Sequence, residues 1–153
     1  MNAPRLEFAF AVEVLLGPTS RVGNGEGDVL EFVPILGGTV SGPRLSGEVL
    51  SGGGDWSVRR GREVIELDAR YLLRADDGAF IDVVNRGYFC ASPEVEQRAV
   101  SGEPVAESDY YFRTSPFFRT DARAHRWLAR HVFIGLATVL SGEAISIGFF
   151  TVL

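Results

Sequence analysis

Three short runs of this chain carry side chains that could do chemistry. In Glu66-Leu67-Asp68-Ala69-Arg70, two carboxylates and a guanidinium stand at i, i+2 and i+4. On a strand that spacing puts all three on one face, with neighbours roughly 6–7 Å apart. If that face lines a cavity, Asp68 is a desolvated general base tuned by Arg70, and Glu66 contacts the ligand. If it faces water, Ile65, Leu67, Ala69, Tyr71 and Leu73 form the core face and the charges are solvated. Alternation alone leaves both open. Asp55-Trp56 offers a carboxylate beside a flat indole wall with one N–H donor, or else a turn aspartate and a core tryptophan. In Tyr110-Tyr111-Phe112-Arg113, Tyr111 and Arg113 share a strand face. A phenol with a guanidinium suits negative charge developing on an oxygen; the plainer reading is a surface tyrosine over an arginine stem.

The candidate catalytic residues are therefore Asp55, Asp68, Arg70, Tyr111 and Arg113. Trp56, Glu66, Arg86, Tyr88, Trp127 and His131 are the candidates for substrate contact. Arg86 ends a strand and also reads as half of a cross-sheet ion pair. His131 equally reads as a structural hydrogen-bonding residue. No histidine cluster or CxxC occurs, so no metal is expected. Neither GxGxxG nor GxxxxGK[ST] is present, which argues against a nucleotide cradle, and GxSxG is missing too. No cofactor is expected.

The elements that must position these residues are short strands. Leu6 to Leu16 alternates Leu6, Phe8, Phe10, Val12, Val14 and Leu16 against Glu7, Ala9, Ala11, Glu13 and Leu15, a strand with one buried face. Asn24-Gly25 is a favoured turn pair. Val29 to Leu36 is the next strand, with Pro34 at an edge or bulge. The glycine-rich stretch Gly37 to Trp56 reads as two strands crossing a sharply curved sheet and delivering Asp55-Trp56 beside a cavity. Strands follow over Trp56–Arg60, Glu63–Arg74 and Ala79–Arg86, the last ending at Gly87, with Asp76-Asp77-Gly78 as a hairpin turn. Ser92-Pro93-Glu94 caps one short helix over Val95–Val100. Tyr110–Thr114 is a strand broken at Pro116, Phe117–Thr120 continues it past a proline bulge, and strands over Ala129–Leu140 and Ala144–Leu153 end the chain. Eight to ten strands with glycine-rich turns indicate an all-β, antiparallel barrel or sandwich in one domain.

Gly37–Trp56, ELDARYLLRADDGAFIDVVNRG, YYFRTSPFF and RWLARHVFIG, in that order, resemble the bacterial and fungal family known as domain of unknown function 3237. The resemblance spans about Leu6 to the C-terminus. It implies a single closed or nearly closed antiparallel β-barrel, lipocalin-like, with a central cavity; it implies no reaction. It also implies that Ala129 stands where the family carries an asparagine, so any chemistry of that asparagine is lost here or moved to His131.

Net charge is −5, which argues against nucleic acid or an anionic membrane as partner. The lone Cys90 rules out an internal disulfide and fits a reducing, cytoplasmic compartment. The N-terminal run carries Glu7 and Glu13, unlike a signal peptide, and no apolar run reaches 18 residues. The reading is a cofactor-independent isomerase, cyclase or lyase acting on a small hydrophobic or aromatic ligand in the barrel. The alternatives are a non-catalytic carrier of such a ligand, and an assembly role in which exposed strand edges pair two copies as a homodimer.

Overall fold

A computed structural model describes residues 1–24 and 27–153; the turn expected at Asn24-Gly25 lies outside them. Among the described residues ten strands are present: β1 (Leu6–Leu16), β2 (Ser20–Asn24), β3 (Val29–Ser41), β4 (Gly47–Val49), β5 (Gly54–Arg60), β6 (Val64–Ala75), β7 (Phe80–Cys90), β8 (Tyr111–Arg119), β9 (Phe133–Ser141) and β10 (Ala144–Val152). One helix, α1 (Pro93–Val100), follows β7, and short 3-10 segments span Glu107–Asp109 and Arg123–Arg130. Neighbouring strands are antiparallel in the order β1-β10-β9-β8-β7-β6. β4 and β5 share the next position, between β6 and β3, and β3 returns to β1. The sheet is thus a closed barrel, with β2 an extra strand against the first half of β3.

Two local devices shape it. β1 alternates as its sequence implies only from Phe10 onward. Its register with β10 shifts between Phe8 and Phe10, so Ala9 and Phe10 are both fully buried while Leu6 and Phe8 turn outward. A bulge of this kind inserts one residue and reverses the alternation beyond it. The second device is in β3, one strand where two were expected. It runs through Gly37-Gly38, both at φ +149°, and changes partners there, from β2 and β5 before them to β1 and β4 after. A Cβ on Gly38 would stand 1.9 Å from the Glu13 carbonyl oxygen of β1. The glycines are a bend within a strand, which lets β3 serve two stretches of wall.

Two expected breaks are absent. β7 continues past Gly87 to Cys90, because Gly87 packs against the β8 backbone where a Cβ would stand 2.1 Å from the Arg113 carbonyl oxygen. β8 runs unbroken through Pro116, which pairs with Asn85 of β7. β8 meets β9 only at Arg113 and Thr114, so its other edge asks no N–H of the proline. The α1 cap is as expected: the Ser92 hydroxyl accepts from the Val95 N–H at 3.2 Å, with Pro93 at the first turn.

The barrel is solid at one end and hollow at the other. Phe10, Phe118, Phe133 and Phe149 pack edge-on or tilted, with ring centroids 5.0–5.7 Å apart in the contacting pairs. The 3-10 segment Arg123–Arg130 lays Trp127 and the buried Leu128 onto this cluster as a plug. Aromatic packing of this geometry contributes about 0.5–1.5 kcal/mol per pair beyond area burial.

Candidate functional site: the barrel lumen

The hollow end holds a cavity of about 370 Å³, within the range typical of small-molecule sites. Its walls are largely aliphatic, including Val14, Val33, Ile35, Ile65, Leu67 and Ile145. Into this apolar lining project Asp55 and Ser57 of β5, Tyr71 of β6, Asn85 of β7 and Thr114 of β8. Toward the α1 end stand Glu31, Arg59 and Glu96. Arg59 donates two hydrogen bonds to the Glu96 carboxylate, at 2.6 and 3.0 Å, tying β5 to α1; that bond raises the guanidinium pKa further.

Asp55 is positioned by an interruption in the sheet. β5 and β6 pair at Asp55↔Ala69 and again at Val58↔Glu66, and the rungs at Trp56 and Ser57 are not made. The Asp68 N–H donates instead to Asp55 Oδ1 at 2.9 Å. Burial pushes the Asp55 carboxyl up to about 6; the Asp68 N–H draws it down and the Asp68 charge adds to the rise. Tyr71 is also raised, chiefly by burial, with the neighbouring Asn85 amide opposing and the Asp55 charge reinforcing. The lumen therefore offers one carboxyl that exchanges its proton near neutral pH and one phenol that keeps its own.

Asp68 and Arg70 do not join it. β6 turns Ile65, Leu67, Ala69 and Tyr71 into the lumen, so Glu66, Asp68 and Arg70 face outward and the solvated reading holds. There Asp68 pairs with Arg86 at 3.1 Å, Arg70 with Asp82 at 3.2 Å and Glu66 with Arg60 at 2.7 Å. Tyr111 and Arg113 also face outward, with the Arg113 guanidinium 5.5 Å from the Tyr111 ring centre and bonded to the Phe112 carbonyl. Trp56, Glu66, Asp68, Arg86, Tyr88, Tyr111 and Arg113 line a separate hollow on the outside of the barrel. Trp127 belongs to the plug, with Arg44 stacked 3.7 Å over its ring. His131 is exposed, its Nδ1 2.9 Å from the Trp127 carbonyl oxygen. Of the expected catalytic residues, only Asp55 reaches the lumen.

The lumen groups not anticipated, Ser57, Tyr71, Asn85 and Thr114, left one trace in the sequence. Asn85 interrupts the inward series Ile81, Val83, Asn85, Phe89, a single amide in an apolar alternation. Among the described residues no helix is long and apolar enough to cross a membrane, and no cluster of three His, Cys, Asp or Glu side chains is placed to hold a metal ion.

The class these features define is a closed antiparallel β-barrel, plugged at one end, with a polar-studded apolar lumen. Residues 4–152 match the family described as Protein of unknown function (DUF3237), and the chain belongs to it. It is 40% identical over 136 residues to a UPF0311 protein of Rhodopseudomonas palustris, covering 88% of this chain and 89% of that one. A crystal structure of a conserved protein of unknown function from the same organism superposes with TM-score 0.92 at 33% identity, covering both chains fully. A beta-barrel like protein from Acinetobacter baumannii does so at TM-score 0.85 and 31% identity, over 100% of this chain and 98% of that one. A stretch of 78 residues, 51% of this chain and 52% of its relative, is 33% identical to a hydroalkoxylation enzyme of Penicillium herquei. An enzyme from that fungus shares the fold, with TM-score 0.74 at 21% identity, over 100% of this chain and 97% of that one.

Proposed function

We propose that the lumen is the active site of a cofactor-independent isomerase, cyclase or lyase acting on a small hydrophobic molecule. The observation that carries it is Asp55, a carboxyl with its pKa raised to about 6 in a cavity whose walls are largely aliphatic. A group poised near the working pH both accepts and returns a proton within one cycle. Tyr71 and Asn85 supply neutral donors for an oxygen that gains charge as the proton leaves. The walls hold the substrate in one conformer, which lowers the entropic part of the barrier. The fungal relative's name supports this class. Hydroalkoxylation adds an alcohol O–H across a carbon–carbon double bond, so a proton is moved with no net oxidation.

The test is proton exchange on a probe. 2-Tetralone, an enolisable bicyclic ketone, is incubated with the protein in deuterium oxide and its α-protons are followed by NMR. The wild type is expected to accelerate exchange, and Asp55→Asn to lower that rate by about 10²–10⁴-fold. Binding of 2-tetralone without accelerated exchange would favour the carrier reading, which the aliphatic walls also fit.

A further inference from the structure

Five buried side-chain polar atoms lack a well-formed hydrogen-bond partner among the described residues, and three belong to lumen residues: Tyr71 Oη, Asn85 Oδ1 and Thr114 Oγ1. The Asn85 amide is near enough to lower the Tyr71 pKa but makes no hydrogen bond of normal geometry with it. All three residues are more than nine-tenths buried. A buried polar atom left unsatisfied costs stability, and in a native core such atoms are few. Three on adjacent strands of one cavity wall mark a place built for a polar group that the protein does not itself supply.

From this clustering we infer that the lumen takes an uncharged molecule with an apolar body and a hydroxyl, phenolic or enolic, at the end that enters first. This rests on the lumen being the ligand site. The chemistry of the three atoms selects the hydroxyl. Tyr71 and Thr114 each carry a proton to give, and Asn85 Oδ1 can only accept. A hydroxyl accepts from the first two and donates to the third, whereas an ether or ester oxygen leaves Asn85 bare. The aliphatic belt around Ile65, Leu67 and Ile145 then receives the apolar body.

The charges toward the α1 end exclude anions. Three lumen-lining carboxyls, Glu31, Asp55 and Glu96, stand against one lumen-lining guanidinium, Arg59, which already donates two hydrogen bonds to Glu96. A carboxylate entering there meets like charge and no available cation, and loses its hydration on the way in.

Three bicyclic probes of nearly equal size separate these terms: 2-naphthol, 2-methoxynaphthalene and 2-naphthoate, titrated calorimetrically into the wild type, Tyr71→Phe and Asn85→Leu at pH 7. The wild type is expected to bind 2-naphthol about tenfold or more tighter than either other probe. Both variants should bring 2-naphthol to within about threefold of 2-methoxynaphthalene, whose own affinity stays put. Tyr71→Phe removes an unpartnered hydroxyl with little change in shape, so it should melt no lower than the wild type. That outcome guards the result against a folding defect. Equal binding of naphthol and methoxynaphthalene by the wild type, or tightest binding of naphthoate, would overturn the inference and leave the Asp55 chemistry standing. If none of the three binds, the lumen fails as the ligand site, and the proposed function fails with it.

Discussion

Asp55 carries a thermodynamic signature that can be read without a substrate. Its pKa is raised on folding from 3.8 to about 6, so the native state favours the protonated form. The associated stability is fully present below about pH 3.8 and is lost as pH rises through about 6. A shift of this size corresponds to about 3 kcal/mol between the two limits. Asparagine at this position keeps an oxygen to accept the Asp68 N–H and cannot ionise. Asp55→Asn should therefore match the wild type in stability near pH 4 and exceed it by about 1–3 kcal/mol above pH 7, as measured by urea denaturation. Taking the difference between the two proteins removes the opposite trend of Asp77, whose pKa is lowered by the Ala79 N–H and by His125 and whose contribution is lost as pH falls. A constant difference across this range would mean that Asp55 is not desolvated. Asp55 was half legible in the sequence: it closes a glycine-rich stretch that reads as a bend beside a cavity, but a turn aspartate fitted the same residues. Asp68 and Arg70 were not, because a strand's alternation names two faces and no water-facing side. Tyr71 was assigned to the apolar face from the same alternation, yet its hydroxyl gave no sign of being left without a partner.

At the scale of elements, β3 does the most. Its first half pairs with β5 and so fixes the strand that carries Asp55, while its second half closes the wall against β1. The bend between them depends on Gly38. Alanine there would need a backbone conformation that side chains rarely adopt, and would collide with a carbonyl of the adjacent strand. Gly38→Ala should cost more than about 2 kcal/mol by denaturant midpoint, with near-wild-type stability the outcome that would refute the bend. Most strand boundaries and the α1 cap could be read from turn residues and alternation, because those depend on local chemistry. The bulge in β1, the continuity of β3 and the passage of β8 through Pro116 could not. Each is decided by which strand lies alongside, and a glycine or proline looks the same in a turn, a bend or an unpaired edge.

For the whole molecule, closure is unequal around the ring. β6 and β7 pair over eleven rungs from Val64↔Cys90 to Arg74↔Phe80, whereas β8 and β9 pair only at Arg113↔Leu136 and Thr114↔Gly135. Beyond that short seam the Tyr110 hydroxyl accepts the Val139 N–H at 3.2 Å, a side chain standing in for a ladder bond. Tyr110→Phe leaves that half-buried N–H without its acceptor, which costs about 1 kcal/mol. Amide hydrogen exchange should then quicken at Val139 and its β9 neighbours before it does in β6 or β7. Uniform acceleration around the barrel would show that the seam is no weaker than the rest. The far end of the barrel is filled by phenylalanines and Trp127.

The hydrogen bond from Asp68 to Asp55 has one more consequence. Asp68 shows its side chain to the outside of the barrel while its N–H reaches through the wall to the carboxyl within. That amide is a built-in spectroscopic window: its nitrogen and proton frequencies respond to the charge on Asp55 Oδ1. A residue on the solvent side thus reports, at atomic resolution and in the resting protein, the ionisation of a half-buried carboxyl that lines the lumen.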